Sequence, residues 1–342
     1  MNDTVSLGLE EVHRLTFEIF SGHGVSEAQS RAVADVVTAA ERDGCKSHGL
    51  FRVPSYIASV RSGKMRRDAE PLVTDLAPGV LRVDAGEGFA PLALETGRGP
   101  LVEKARNQGI ALLAVVNSLH FQAVWYEVEA LAEQGLAALA CVTTASYVAP
   151  AGGTRPLYGT NPLAFGWPRP GRPPLVFDQA SSASARGEIM LHERDGHPIP
   201  EGWAIDEEGR PTTDPSAALR GAQLAFGGYK GAAIALMVEL LAGALIGDLF
   251  SFEVSERDNN DGGPMSRGEI VIAIDPARTV PDGDRERHLA HAERLFERIL
   301  DEPGARLPSD RRYAERLRSA RGGIEIPAAL HVTLEGLRHG GS

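Results

Sequence analysis

Gly86-Glu87-Gly88-Phe89-Ala90-Pro91 follows a strand-like run and opens a helix that reads on to about Gln108. The stretch imitates the GxGxxG fingerprint, whose glycines bring a pyrophosphate close to backbone at a helix N-terminus. Two features oppose that reading. Pro91 stands where the last glycine belongs, and no strand with a well-placed terminal acid follows about 20 residues on. The sequence therefore predicts an α/β chain that does not use a Rossmann loop.

Towards the N-terminus the pattern is helical. Leu9 to Ser21 puts Val12, Leu15, Ile19 and Phe20 on one face, and Gly22-His23-Gly24 ends it. Ser26-Glu27-Ala28-Gln29 reads as a capping box for a second helix, buried along Ala32, Val33, Val36, Val37 and Ala40 and broken at Asp43-Gly44. Pro54 to Ser62 reads as a third helix. Pro71 to Leu76 and Val80 to Val83 flank Pro78-Gly79 as a hairpin.

Towards the C-terminus Ile110 to Val116 is a continuous apolar run, as expected of a central strand. Asn117-Ser118-Leu119-His120-Phe121 breaks it, a helix runs from Gln122 to about Gln134, and Leu136 to Thr143 is the next buried strand. A polar loop after the first strand of such a unit is a usual ligand position. Val148 to Trp167 is a Gly- and Pro-rich connection centred on Tyr158-Gly159-Thr160-Asn161-Pro162. Leu175 to Phe177 and Glu269 to Asp275 read as strands, His197 to Pro215 as an irregular loop, and Glu286 to Glu302 as a charged helix. Arg306 to Arg312 is a basic turn entering a last helical segment.

Asp43-Gly44-Cys45-Lys46-Ser47-His48-Gly49-Leu50-Phe51-Arg52 carries the densest chemistry. A helix starting after His48 would bring it and Arg52, four residues on, to one mouth. Arginine grips a carboxylate in bidentate fashion, and histidine moves a proton near neutral pH. Alone, the stretch is equally a loop with a surface arginine and a satisfied histidine.

Composition narrows the classes. The 342 residues are 43% hydrophobic and 24% charged, ordinary for a globular protein, with a net charge of −11 that argues against generic nucleic-acid binding. Cys45 and Cys141 are the only cysteines, so neither a disulfide scaffold nor a cysteine-rich metal site is expected, and the cytoplasm is the expected compartment. Asp3, Glu10 and Glu11 are foreign to a secretory signal. Gly231 to Ile246 imitates a membrane span, but Glu239 in its middle predicts a buried helix of a soluble core instead.

The segments DGCKSHGLFR at Asp43, NSLHF at Asn117, YGTNPLAF at Tyr158, FDQASS at Phe177, PIPEGWAIDEEGRPTTDP at Pro198 and GGYKG at Gly227 occur in one order. Together they resemble the malate/L-lactate dehydrogenase family of NAD(P)-dependent oxidoreductases, which is unrelated to the Rossmann-type enzymes. The likeness is to its branch that reduces Δ1-piperideine-2-carboxylate and Δ1-pyrroline-2-carboxylate, marked by HFQAVWYEVEALAEQGLAAL at His120, FSFE at Phe250 and RLPSDRRYAERLR at Arg306.

The resemblance implies a non-Rossmann α/β fold in three parts. Residues 1–47 would form a helical segment packing with 310–342, residues 48–120 with 291–309 a smaller mixed domain, and residues 121–290 the cofactor-binding domain. It implies a homodimer, NADPH (with NADH as the other candidate), no metal, and a small cyclic imino acid as substrate. Ser47 and His48 match the family's catalytic pair, with His48 as proton donor, and Glu188 falls where the branch has a relaying Asp. Arg52, Thr160, Arg186 and Gly187 match substrate contacts. His120, Phe121, Gln122, Ala123, Val124, Asp178, Gln179, Ala180, Tyr229, Lys230 and the run Arg306, Leu307, Pro308, Ser309, Asp310, Arg311, Arg312 match cofactor contacts.

Three departures stand out. Glu188 is one methylene longer than Asp, Tyr229 replaces a His, and Arg186 replaces a His. The implied reaction is reduction of the ketimines to L-pipecolate and L-proline. The alternative on the same fold is a 2-hydroxy-acid dehydrogenase, and a non-catalytic carboxylate or nucleotide binder is the third reading.

Overall fold

The computed structural model describes residues 4–119, 123–259, 261, 266–281 and 283–340. Its elements run β1 (Thr4–Leu7), α1 (Leu9–Gly22), α2 (Glu27–Arg42), α3 (Val53–Ser62), β2 (Leu72–Ala77), β3 (Val80–Asp84), α4 (Ala90–Gln108), β4 (Ile110–Ser118), α5 (Trp125–Glu133) and β5 (Ala137–Val142). They continue through β6 (Leu163–Trp167), β7 (Leu175–Gln179), α6 (Arg186–Asp195), β8 (Ala204–Ile205), β9 (Pro211–Thr212), α7 (Pro215–Arg220), β10 (Ala222–Gln223) and α8 (Tyr229–Glu239). The last are α9 (Ser251–Arg257), β11 (Arg267–Ile274), α10 (Arg285–Leu300), α11 (Asp310–Gly322), β12 (Ile324–Pro327) and α12 (Ala328–Arg338).

One seven-stranded sheet, in the order β2-β3-β4-β11-β5-β6-β7, organises the chain. Among the described strands of this sheet, only β3 and β4 pair in parallel. The β4-α5-β5 unit expected from sequence is present but split, because β11 inserts between its two strands and pairs antiparallel with both. A parallel nucleotide-binding sheet is therefore absent from the described residues, in line with the rejection of the glycine fingerprint. The glycines of that stretch serve packing. A Cβ on Gly88 would lie 2.3 Å from Nε2 of Gln29. The Gln29 amide donates to Ala69 O at 3.0 Å and accepts from Phe89 N at 3.0 Å. Gln29 is thus diverted from the capping box expected of it, and only the Ser26 half of that box forms.

The two faces of the sheet are buried differently. Leu113, Val115, Val271 and Ala273 pack under α4 and α5 with Leu94, Leu101, Trp125, Val128 and Leu131. Ala114, Val116, Cys141 and Ile270 pack under α8 and the turn after it with Val238, Ala242 and Ile246. A third cluster joins α1, α2 and α3 to the C-terminus, where β1 pairs with β12 and α12 lies on α1. Phe20, Phe89 and Tyr56 meet within it, Phe20 and Phe89 edge-on at 5.4 Å. The stretch from Asp43 to Arg52 lies where α2 leaves this cluster for α3.

Three expectations need correction. Leu163–Trp167 is strand β6, hidden in sequence by the glycines and prolines around it. The loop from His197 to Pro215 contains β8 and β9, which join β10 in a small sheet. The apolar helix is not buried all round: Leu236, Met237, Leu240 and Leu245 are exposed, because only its Val238 and Ala242 side meets the sheet. It passes into a π-helical turn at Leu240–Ala244. Among the described residues no helix is long and apolar enough to cross a membrane.

Candidate active site

Two buried carboxylates, Glu41 and Asp43, hold the stretch that carries Ser47, His48 and Arg52. Glu41, on the last turn of α2, accepts Leu50 N–H at 2.7 Å, and burial pushes its carboxyl up. A Cβ on Gly49 would lie 2.2 Å from Glu41 Oε1, so the close approach requires glycine. Asp43 caps the end of α2, its side chain fully buried. It takes Arg42 at 2.7 Å, Arg312 at 2.9 Å and Arg316, and the last two also bind Glu129 of α5. Burial alone would raise the Asp43 carboxyl, but Arg316 and Arg42 hold it below the usual range.

Between these fixed points the chain makes two short 3-10 turns, Lys46–His48 and Leu50–Arg52. Ser47 Oγ and His48 Nδ1 share a hydrogen bond of 3.0 Å, which leaves the other ring nitrogen for a substrate. Burial, and then the charge of Arg52, push His48 down to about 4. Arg52 donates to the Tyr56 hydroxyl and has no carboxylate in ion-pair contact among the described residues. The site thus pairs a neutral imidazole with a cation that lacks an anion. The relay expected of Glu188 shows no direct hydrogen bond or ion pair to Ser47 or His48 among the described residues. Glu188 is exposed in the first turn of α6, and His48 makes no ion pair among the described residues. Its neighbour Gly187 does reach the site, since a Cβ there would lie 3.7 Å from Ser47 Cβ.

Thr160 is placed by Glu239, the acid that interrupts the apolar helix. Buried Glu239 accepts from Asn161 Nδ2 at 2.7 Å, Ser251 N at 2.9 Å and Gly159 N at 3.4 Å. Thr160 N donates to Thr144 Oγ1 at 2.8 Å, and Ser181 donates to Thr160 O. Arg186 stacks over the Tyr147 ring at 4.0 Å and donates to Leu219 O at 2.9 Å. Tyr147 and the buried Arg267 complete this wall, and both were missed from sequence. Burial pushes Arg267 down to about 10, with Arg52 contributing in the same sense.

The cofactor segments also converge. His120, Phe121 and Gln122 lie outside the described residues; Ala123 and Val124, next in the chain, are buried. Asp178 accepts Trp125 N–H at 3.0 Å, and burial pushes it up to about 6. Ser309 Oγ accepts Val176 N–H at 3.0 Å, tying the basic turn to β7. Gly231 packs so closely that a Cβ would lie 2.7 Å from Ser181 O, which brings Tyr229 and Lys230 towards the end of the Asp178 strand. Gly227 and Gly228 have φ of 56° and 64°, so glycine shapes the entry to α8, whose N-terminus favours an anion.

Arg312 needs reassignment within this set. It makes no ion pair with its chain neighbours Asp310 and Glu315: Asp310 accepts Leu307 N–H and Glu315 binds Arg318. Instead it lies 4.1 Å over the Trp125 ring and is held by Asp43 and Glu129. The exposed Arg306 and Arg311 are the cations left for a phosphate. Convergent donors, a helix N-terminus and exposed arginines fit a dinucleotide phosphate.

A malate/L-lactate dehydrogenase family model matches residues 7–335, and the chain belongs to that family of NAD(P)-dependent oxidoreductases. Within it, the chain is 56% identical over 330 residues to a Δ1-pyrroline-2-carboxylate/Δ1-piperideine-2-carboxylate reductase of Pseudomonas aeruginosa, covering 96% of this chain and 98% of that one. It is 50% identical to a Δ1-pyrroline-2-carboxylate reductase of Pseudomonas fluorescens, over 98% of this chain and 100% of that one. The crystal structure of Δ1-piperideine-2-carboxylate reductase from Pseudomonas syringae matches with a TM-score of 0.90 at 41% identity, covering 97% and 99% of the two chains.

Proposed function

We propose that the protein uses NADPH to reduce cyclic ketimine carboxylates, giving L-pipecolate from Δ1-piperideine-2-carboxylate and L-proline from Δ1-pyrroline-2-carboxylate. The observation that carries this is Arg52, a cation with no carboxylate partner among the described residues, beside the Ser47–His48 pair. The names of the similar reductases support it. Arg52 binds the ring carboxylate. When bound, the reduced nicotinamide supplies hydride to the C=N carbon. Burial is the larger cause that holds His48 down and the charge of Arg52 the smaller; the bound carboxylate offsets the second, which favours the imidazolium that passes its proton to the ring nitrogen. C=N becomes CH–NH, with two electrons and one proton added to the hydride's own proton.

The neutral imidazole of the free site also suits a base that takes a hydroxyl proton, as in a 2-hydroxy-acid dehydrogenase. A side-by-side assay with a cyclic imino acid and a 2-keto acid separates the two readings: higher kcat/KM on the imino acid supports the first, and turnover of the keto acid alone overturns it. NADPH is expected to exceed NADH in kcat/KM by at least about tenfold, or ~1.4 kcal/mol. Arg311→Ala should shrink that gap; equal use of both cofactors by the wild type would refute the phosphate role.

Arg52→Met is expected to weaken substrate binding by about 2–5 kcal/mol, because a charge-assisted bidentate contact is lost. An unchanged KM with a collapsed kcat would assign Arg52 another role. A homodimer is part of the proposal, supported by the exposed apolar row Leu236, Met237, Leu240 and Leu245. Sedimentation at assay concentration reads it, and a monomer there would refute it.

A further inference from the structure

β11 enters the sheet through a bulge. Arg267 pairs with Ser118 and Glu269 with Val115, so Val116 and Asn117 of β4 oppose the single residue Gly268. Asn117 has φ of 51°, a left-handed conformation that asparagine tolerates better than most residues. Asp248 accepts Asn117 N–H at 2.9 Å, and Ser118 Oγ donates to Arg267 O at 3.0 Å. Gly268 cannot be replaced freely, since a Cβ would lie 2.4 Å from Ala242 O. The irregularity is therefore fixed from both strands. Bulges of this kind often lie beside an active site.

The side chain at this position is a guanidinium, only 7% exposed. Gly268 faces Ala242 and Ile246, so alternation leaves Arg267 on the face of Glu269 and Val271, at the end of the strand. Its partner Ser118 precedes Leu119, which bridges to Phe89; the Phe89 ring lies 5.9 Å from Tyr56, and Arg52 lies 5.9 Å over the same Tyr56 ring. Tyr147, Arg52 and Tyr56 are accordingly its electrostatic neighbours. Arg52 hydrogen-bonds the same Tyr56 hydroxyl. Two guanidiniums are thus held near one buried phenol. Like charges repel strongly away from water, and an anion between them reverses the sign of that interaction.

We propose that Arg267 is a second arm of the substrate-carboxylate site, binding with Arg52 the one carboxylate that the ketimine presents. The proposal rests on the reading that Arg52 binds that group. It gives the buried cation at the start of β11 a purpose: the fixed pairing of Arg267 with Ser118 holds it beside Tyr56 and Arg52. Substrates with the carboxylate replaced by an uncharged group are excluded by desolvated charge, not by shape.

The test measures equilibrium binding of pyrrole-2-carboxylate, a flat analogue of the ring, to the NADPH-loaded enzyme, together with KM for the imino acid and for NADPH. Arg267→Met is expected to raise the analogue's Kd and the imino-acid KM at least about thirtyfold, the fold-change for losing one partner of a buried charge pair. Arg267→Lys, which keeps the charge but not the fork, should restore much of this. KM for NADPH should move less than about twofold, and uncharged pyrrole-2-carboxamide, facing one buried cation fewer, should bind Arg267→Met no more weakly than the wild type. An unchanged Kd in the soluble Lys and Met variants, or a rise confined to the NADPH KM, overturns the proposal. If Arg267→Met fails to fold, Arg267→Lys alone must still shift the analogue's Kd. Analogue binding that falls in both arginine variants of an enzyme with no imine turnover would keep the two-arginine site and reject the reaction.

Discussion

His48→Ala lowers kcat by about 10²–10⁴-fold at saturating substrate, the usual contribution of a positioned general acid. The circular dichroism spectrum stays that of the wild type, because the stretch is held by Glu41 and Asp43 and not by the imidazole. Ser47 shares a hydrogen bond with Nδ1 and fixes the ring orientation. The same residue carries a pH signature. In the free site burial and Arg52 depress His48 to about 4. Carboxylate binding opposes the second of these causes, so the pKa rises towards the ordinary value of about 6.5. A raised pKa means proton uptake on binding, in the window between those two values. The pKa seen in kcat, which reports the complex, should therefore lie above that seen in kcat/KM, which reports the free enzyme. Full turnover in His48→Ala would remove His48 from the chemistry, and identical profiles would remove Arg52 as its electrostatic control.

Asp43→Ala is expected to cost about 3–5 kcal/mol of folding stability, the range for breaking a buried ion pair and leaving its partner uncompensated. The Asp43 side chain is fully buried, while Arg312 and Arg316 are 10% and 23% exposed, so water can replace the lost carboxylate only in part. Glu129 remains, but it then faces both guanidiniums alone. The loss joins three places at once: the end of α2 before Ser47, α5 after the cofactor segment, and the first turn of α11. Urea unfolding measures it. The sign with pH follows from the depressed Asp43 pKa: this stability is present above the ordinary carboxylate value and is lost as pH falls below it, down through the lower folded value. A cost below about 1 kcal/mol, as for an exposed pair, would show that the cluster is only decorative.

Local rules located much of this architecture. Apolar spacing gave α1, α2 and β4 nearly to the residue, and Pro91 sufficed to reject the glycine fingerprint. Ser47, His48 and Arg52 were legible because all three lie in one short break between helices. What stayed hidden depends on register and on distant partners. β1 and β12 pair across nearly the whole chain, and each is four residues long. Gln29 reads as half of a capping box until Ala69 and Phe89 are placed beside it. Arg267 reads as an ordinary charge at the start of an apolar strand, and only the folded chain shows it buried with Tyr147, Tyr56 and Arg52 as neighbours. Arg312 lies in a basic turn that invites a phosphate, yet it is claimed by carboxylates 269 and 183 residues away in the chain. The interrupting acid Glu239 argued against a membrane span, while its bonds to Gly159 and Asn161 needed the fold.

The central claim is that hydride reaches the C=N carbon of a carboxylate-anchored ring. Incubation with Δ1-pyrroline-2-carboxylate and NADPH carrying deuterium at the transferred position tests this most directly, read by mass spectrometry and chiral chromatography of the product. The account predicts L-proline with one deuterium on the carbon that bears the carboxylate, and no label when Arg52→Met is used at the same substrate concentration. Unlabelled product, D-proline, or labelled hydroxy acid from a 2-keto acid with the imine left untouched would contradict it.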